Sequence, residues 1–396
     1  MDLFKKVRES ELMRDAHEAI ESGIYPYFKP LDDTEGSEVV IDGRRILMIG
    51  SNNYLGLTTH PKVREAAIEA IKHYGTSCTG SRFLNGTLAL HHELEHRLAA
   101  FVGKPAALVF STGMQTNLGV ISALVQRGDV AVIDKDDHAS IVDGCKLSFG
   151  EMKRFPHNDL EALERLLKSI PDDKGILLVV DGVYSMGGDI APLPQLIELG
   201  KAHGARLMVD DAHASGVLGR NGRGTADYFG LTDQVDLIMS TFSKSFASLG
   251  GFIAGDEDVI FYIKHNARSL IFSASMPASN VAAVLAALDI MEQEPERVTR
   301  VNVIGERVRR ELKGMGFNIG PSQTPIVPII IGDRDRTVLA WNMLFHAGLF
   351  TNCILSPAVP PGMDLLRTSY MATHTDEQID RALEIFRTVG KQLELI

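Results

Sequence analysis

Cysteine is scarce, with three in 396 residues at Cys78, Cys145 and Cys353. Spacing this wide suggests neither a disulfide framework nor a zinc cluster, and it fits a reducing compartment. A positive balance is missing too. Lys and Arg number 40 against 51 Asp and Glu, a formal charge of −11. That argues against a nucleic-acid partner, because phosphate neutralisation needs clustered cations. A small phosphorylated ligand is still compatible with local basic patches. No apolar run approaches bilayer length, and the opening Met1-Asp2-Leu3-Phe4-Lys5-Lys6-Val7-Arg8 has no signal-peptide core. The expectation is a cytoplasmic protein whose amphipathic N-terminal helix leaves room for a peripheral membrane contact. Repeats and low-complexity tracts are absent.

What is present reads as two folding units. The length exceeds that of one simple core, so a large and a smaller domain are expected. Residues 1–45 read as a helix and a hairpin segment, with Glu38-Val39-Val40-Ile41 as a strand ending in the turn Asp42-Gly43. Residues 46–285 carry short apolar runs: Ala107 to Phe110, Val130 to Ile133, Ile176 to Val180, Leu207 to Val209 and Leu237 to Met239. Helical stretches such as Leu160 to Ser169 separate them. Continuous apolar runs of this length suit strands buried on both faces, and their alternation with helices predicts a mainly parallel α/β sheet. Residues 286–396 change grammar, towards a smaller α+β unit. Pro325 to Ile331 carries two prolines, as an edge strand would. Thr337 to Ala347 reads as a helix closed by Gly348. Thr375-Asp376-Glu377-Gln378 has the form of a capping box opening a last helix that runs to about Leu393.

In a sheet of this kind ligands bind beyond the carboxyl ends of the strands, and polar residues cluster there. After Phe110 comes Ser111-Thr112-Gly113-Met114-Gln115, an anion site or an ordinary strand-to-helix turn. After Ile133 comes Asp137-His138-Ala139-Ser140, where a lone His is more often a hydrogen-bonded structural residue. Asp210-Asp211-Ala212-His213 puts two carboxylates and an imidazole at a buried strand end, costly unless paired. Thr241-Phe242-Ser243-Lys244-Ser245 sets a lysine among hydroxyls. Its neighbours Phe242, Phe246 and Leu249 favour partial burial, a lowered pKa and a nucleophilic role over a solvated surface lysine.

Together these stretches, with Ser51-Asn52-Asn53-Tyr54-Leu55-Gly56-Leu57, Thr79-Gly80-Ser81-Arg82 and Asp181-Gly182-Val183-Tyr184-Ser185-Met186, resemble the α-oxoamine synthases. These are a branch of the fold-type I, aspartate aminotransferase-like, pyridoxal-phosphate (PLP) enzymes. The resemblance runs from about residue 20 to about residue 390. It implies that Lys244 carries the cofactor and later moves the Cα proton. It implies further that Asp210 pairs with the pyridinium nitrogen, that His138 stacks on the ring, and that Ser185 and His213 lie near the ring hydroxyl. Gly113 and Met114 amides with Thr241 and Ser243 hydroxyls are expected to hold the phosphate. Ser273 is expected to reach the phosphate of a neighbouring subunit, which implies a homodimer with shared sites. Arg367 is expected to bind an amino-acid carboxylate as a bidentate fork, with Asn52 beside it. One departure is Asp211, where the family often has Glu; the charge is kept.

The reaction so implied is a decarboxylative condensation of an amino acid with an acyl thioester, on CoA or a carrier protein, giving a 2-amino ketone. The lysine motif and the tail Arg367-Thr368-Ser369-Tyr370-Met371-Ala372-Thr373-His374-Thr375 look closest to members that join L-serine to a long-chain acyl-CoA, forming 3-ketosphinganine. Other members take glycine, alanine or other small amino acids with acetyl, succinyl or pimeloyl thioesters. A rival from another class is His92-Glu93-Leu94-Glu95-His96, which fits the H-E-x-x-H pattern of zinc hydrolases. Against it, no third ligand follows, and Leu90, Leu94 and Leu98 form an ordinary apolar stripe. No metal is expected.

Overall fold

The computed structural model describes residues 2–396, Glu35 by its backbone alone. The apolar runs form the spine of a seven-stranded sheet. Its order is Ala106–Phe110, Gly251–Gly255, Leu237–Thr241, Arg206–Asp210, Ile176–Asp181, Val130–Asp134 and Glu151–Phe155. Gly251–Gly255 runs antiparallel to both neighbours, and every other pair is parallel. The sheet is therefore mainly parallel, as the alternation of runs and helices predicts.

Burial explains why these strands carry almost no polar residues. Val130–Asp134, Ile176–Asp181 and Leu237–Thr241 are buried at every position. Val132, Leu178, Val180, Val209 and Ile238 point into one apolar cluster, while Ala131, Ile133, Val179, Met208 and Met239 point into the opposite one. Each fully buried branched side chain contributes about 1.5–3 kcal/mol, so both faces must be covered by helices.

Two strands escape the sequence pattern. Glu151–Phe155 lies at the sheet edge and keeps polar Glu151, Lys153 and Arg154. Gly251–Gly255 is only five residues long and has glycine at both ends, a composition that reads as a turn.

The C-terminal residues build a three-stranded antiparallel sheet ordered Ile326–Ile330, Leu365–Ser369, Asn352–Ile354. Ile326–Ile330 is an edge strand, where Pro328 is tolerated. Helix Asp376–Gln392 opens with a reciprocal capping box, Thr375 Oγ1 accepting from Gln378 N at 3.2 Å and Gln378 Oε1 from Thr375 N at 3.1 Å. Helix Arg334–His346 starts three residues before Thr337, because Asp333 accepts from Arg336 N and caps it.

The N-terminal segment holds two helices, Leu3–Arg8 and Glu11–Glu21, and a hairpin of Glu38–Ile41 and Arg44–Met48. Its turn residues Asp42 and Gly43 both have positive φ, 50° and 71°, as a tight hairpin of this hand requires. Arg44–Met48 then pairs in parallel with Leu349–Phe350. Val39, Ile41, Ile46 and Leu47 share a core with Trp341, Leu344 and Phe386. The boundary expected between residues 45 and 46 thus falls inside a strand, and the hairpin packs with the C-terminal elements. Among the described residues, no helix is long and apolar enough to cross a membrane.

Candidate active site

Three neighbouring parallel strands each end in aspartate: Asp134, Asp181 and Asp210. Thr241 ends the next strand and Phe110 the strand beyond the antiparallel insertion. A cavity of about 290 Å³ opens at this edge, near the lower end of small-molecule sites. Its wall includes Gly113, Met114, His138, Asp210, His213, Thr241, Ser243 and Lys244, bringing together eight residues the sequence singled out.

Each side of the cavity follows from local structure. Thr112 caps helix Gly113–Leu124 by accepting from Gln115 N at 3.0 Å, so the first-turn N–H groups face the cavity. A Cβ on Gly113 would meet Thr241 Oγ1 at 2.7 Å, so glycine is what lets the helix end approach that hydroxyl. Ser243 Oγ lies 3.0 Å from Thr241 Oγ1, and the two hydroxyls with the helix end form an anion cradle.

Asp210 is buried at 4 % exposure and doubly held, by Ala212 N at 2.9 Å and by Asn117 Nδ2 at 2.7 Å. Asn117 also donates to Ser140 Oγ at 2.8 Å, which lies 2.7 Å from His138 Nδ1. The chain Asp210–Asn117–Ser140–His138 therefore ties a buried carboxylate to an imidazole exposed at the cavity mouth. Desolvation by the surrounding cavity wall lowers the His138 pKa, Asp210 opposes the shift, and the Lys244 charge adds to it.

Lys244 is partly accessible, at the cavity wall. Desolvation drives its pKa down to about 8, and Arg367 pushes the same way, against Asp210 and Asp181. That makes a substantial neutral fraction available near neutral pH. His213 is pushed well below its usual value by burial, then by Lys244 and Arg367, and is a neutral imidazole. Its Nδ1 lies 2.7 Å from the Tyr54 hydroxyl, itself 3.3 Å from Asn52 Oδ1. Burial raises the Tyr54 pKa to about 12, so the phenol keeps its proton.

Arg367, Asn52, Ser185 and Ser273 lie outside the cavity wall proper. Arg367 is 4 % exposed and donates through Nε to the Ser185 carbonyl at 2.5 Å, with Nη1 3.5 Å from Ser369 Oγ. Its Nη2 is buried without a partner. An orphaned guanidinium N–H is expensive unless a ligand completes it. Ser185 is placed by its backbone, as the support of Arg367. Ser273 Oγ accepts from Gln115 Nε2 of its own chain at 2.8 Å.

Asn117, Ser140, Asp181 and Tyr54 are contributors to which no motif in the sequence assigns a role. Asn117 had a usable signal: asparagine inside a helix is unfavourable unless its amide has a partner. In helix Ala89–Val102, His92 and His96 are exposed, while Glu95 is buried 2.8 Å from Arg82 and accepts from Val109 N.

The residues present fit an aldehyde cofactor bearing a phosphate and a basic ring nitrogen: a lowered-pKa amine, an anion cradle and a fixed buried carboxylate. The class I and II aminotransferase family model matches residues 44–386. The serine palmitoyltransferase of Sphingobacterium spiritivorum is 51 % identical over 373 residues, covering 94 % of each chain. An 8-amino-7-oxononanoate synthase of Thermoanaerobacter pseudethanolicus is 40 % identical, covering 95 % of each. A solved serine palmitoyltransferase of S. paucimobilis with a bound PLP–myriocin aldimine superposes with a TM-score of 0.97 at 36 % identity, over the full length of both chains. The chain therefore belongs to the class I and II aminotransferase family, in its α-oxoamine synthase branch, with the fold-type I architecture and PLP as its cofactor.

Proposed function

We propose that this chain condenses L-serine with a long-chain acyl-CoA, palmitoyl-CoA first, to give 3-ketosphinganine, CoA and carbon dioxide. The observation that carries the reading is full-length similarity to serine palmitoyltransferases in a chain whose buried Arg367 has a free Nη2 within electrostatic reach of Lys244. A guanidinium so placed suits an amino-acid carboxylate. The 8-amino-7-oxononanoate synthase similarity supports a second reading, in which a smaller amino acid and a different thioester react by the same chemistry.

The cofactor supplies an electron sink for the charge left at the amino acid's Cα. Asp210, fixed by Asn117 and Ala212, would keep the ring nitrogen protonated. Gly113 and Met114 amides with Thr241 and Ser243 hydroxyls would hold the phosphate, His138 would cover the ring, and His213, with Ser185 behind the wall, would serve the ring-hydroxyl side. Lys244, at the cavity wall with its pKa lowered to about 8, would hold the cofactor through its amine and, as the free amine, would take the Cα proton of the substrate. The Cα electron pair forms the new bond to the thioester carbonyl and the thiolate leaves. The original carboxylate departs as carbon dioxide once Arg367 and Asn52 have oriented it, and its electron pair is reprotonated at Cα.

The site is completed, in this reading, by a second copy of the chain. Phe83, Leu84 and Phe272 are exposed at 51, 78 and 72 %. They flank the loops joined where Ser275 N donates to the Gly80 carbonyl at 2.9 Å. Covering those side chains would bring Ser273 to a neighbouring phosphate, and sedimentation should show a dimer. In this reading the enzyme works in the cytoplasm.

Selectivity is tested by thiol release across a matrix of amino acids and acyl chain lengths. L-serine with C16 thioester should dominate; glycine or alanine with short thioesters dominating would favour the second reading. The amine's pKa gives a pH test. Capture of PLP by cofactor-free protein, trapped with borohydride, should accelerate as pH rises and be half-maximal near about 8. Half-maximal capture close to the ordinary lysine value would mean that Lys244 is not desolvated.

A further inference from the structure

His157 follows the edge strand Glu151–Phe155, outside the cavity wall. Its Nδ1 lies 3.0 Å from Asp134 Oδ1 and its Nε2 2.9 Å from Asp189 Oδ2. Carboxylates only accept, so both ring nitrogens must donate and the ring is an imidazolium. The two carboxylates raise its pKa to about 10 against the cost of burial. Asp136 Oδ2, at 4.0 Å from Nδ1, adds to the negative side, and the Tyr184 ring covers the imidazole edge-on at 4.4 Å. Asn158 repeats the grip, its N–H donating to Asp134 Oδ2 at 2.9 Å and its Nδ2 to Asp189 Oδ2 at 3.0 Å.

The two carboxylates belong to different loops. Asp134 opens the loop that carries His138, and the Asp137 carboxyl of that loop accepts from Asp134 N at 2.9 Å and Asp181 N at 2.8 Å. Asp189 closes the loop that carries Val183 and Ser185, where Tyr184 N donates to the Asp189 carbonyl and Val183 bridges Ile190. The Ser185 carbonyl of that loop fixes Arg367.

We propose that His157 is a positioning residue whose imidazolium, gripped by Asp134 and Asp189, locks the His138 loop to the Ser185 loop. It thereby sets the group that covers the cofactor in register with the group that binds the substrate carboxylate. The roles of His138 and Arg367 here rest on the function proposed above. His157 itself lies outside the cavity wall, so its part in that register is indirect.

The clamp has two arms that separate experimentally on the holoenzyme. His157→Gln keeps one donor and loses the charge. It should raise KM for L-serine about tenfold and halve the visible circular dichroism of the bound cofactor. Asp189→Asn loosens only the Ser185 side, so it should raise KM comparably and leave the dichroism as in the parent. Thermal unfolding is recorded for both, and Asp189→Asn decides alone should His157→Gln fail to fold. Lowered melting temperatures with unchanged KM and unchanged dichroism would reduce His157 to a fold-stabilising contact and overturn the proposal. A parent enzyme that does not bind L-serine would instead refute the function, while the dichroism of His157→Gln would still decide the cofactor arm.

Discussion

Lys244→Ala is expected to lower turnover by about 10³-fold or more and to abolish borohydride-stable incorporation of the cofactor. Among the described residues, no other lysine lines the cavity to supply an amine in its place. The loss combines two functions, since the same nitrogen anchors the aldehyde and moves the Cα proton. Stability should move in the other direction from activity. The amine is kept at a pKa near about 8 by desolvation, which is a cost to the folded state, and Asp210 retains its Asn117 and Ala212 donors without it. The melting temperature of the cofactor-free variant should therefore lie within about 5 °C of the parent. A collapse in melting temperature would show that Lys244 holds the strand ends together, a role the geometry does not give it. Residual turnover at a tenth of the parent rate would remove Lys244 from the chemistry.

Arg367→Lys is expected to raise KM for the amino acid by roughly 10–100-fold, the equivalent of one charge-assisted hydrogen bond of about 1.5–3 kcal/mol. The substitution preserves the charge, so the effect isolates the fork. In the parent, Nε is committed to Ser185 and Nη1 faces Ser369, which leaves Nη2 without a partner of its own. A lysine ammonium cannot hold the Ser185 carbonyl and present a planar donor edge at once. Steady-state kinetics with varied L-serine at saturating thioester measures the effect. The KM for the thioester should stay within about twofold of the parent, because the lost contact concerns the carboxylate. Equal effects on both KM values would mean that Arg367 shapes the site generally.

The fold was legible where one physical signal dominated. Val130–Asp134 and Ile176–Asp181 are buried on both faces, so their composition announced them. The capping box at Thr375 announced a helix start through side-chain chemistry alone. Glu151–Phe155 was silent because an edge strand needs little apolar surface, and Gly251–Gly255 because close packing there demands glycine. Backbone at Gly113 meets a Cβ built on Gly251 at 2.8 Å. The pairing of Arg44–Met48 with Leu349–Phe350 joins residues some 300 positions apart and leaves no local trace.

At the site, residues named by motif met where expected around the cavity, but their supports did not show. Asn117 beneath Asp210, Tyr54 against His213 and the Ser185 carbonyl on Arg367 are matters of tertiary geometry. His157 is the sharpest case. In sequence it is one histidine of 13 beside a proline, and only the folded chain shows carboxylates on both its nitrogens.

The most direct test of the whole account follows the substrate carboxylate. Purified holoenzyme is given carboxyl-labelled L-serine and palmitoyl-CoA, and carbon dioxide, free thiol and product are measured together. All the label is expected in carbon dioxide, in equal amount to the thiol released and the 3-ketosphinganine formed. Label retained in a keto acid, with no thiol released, would mean amino-group transfer instead and would contradict it.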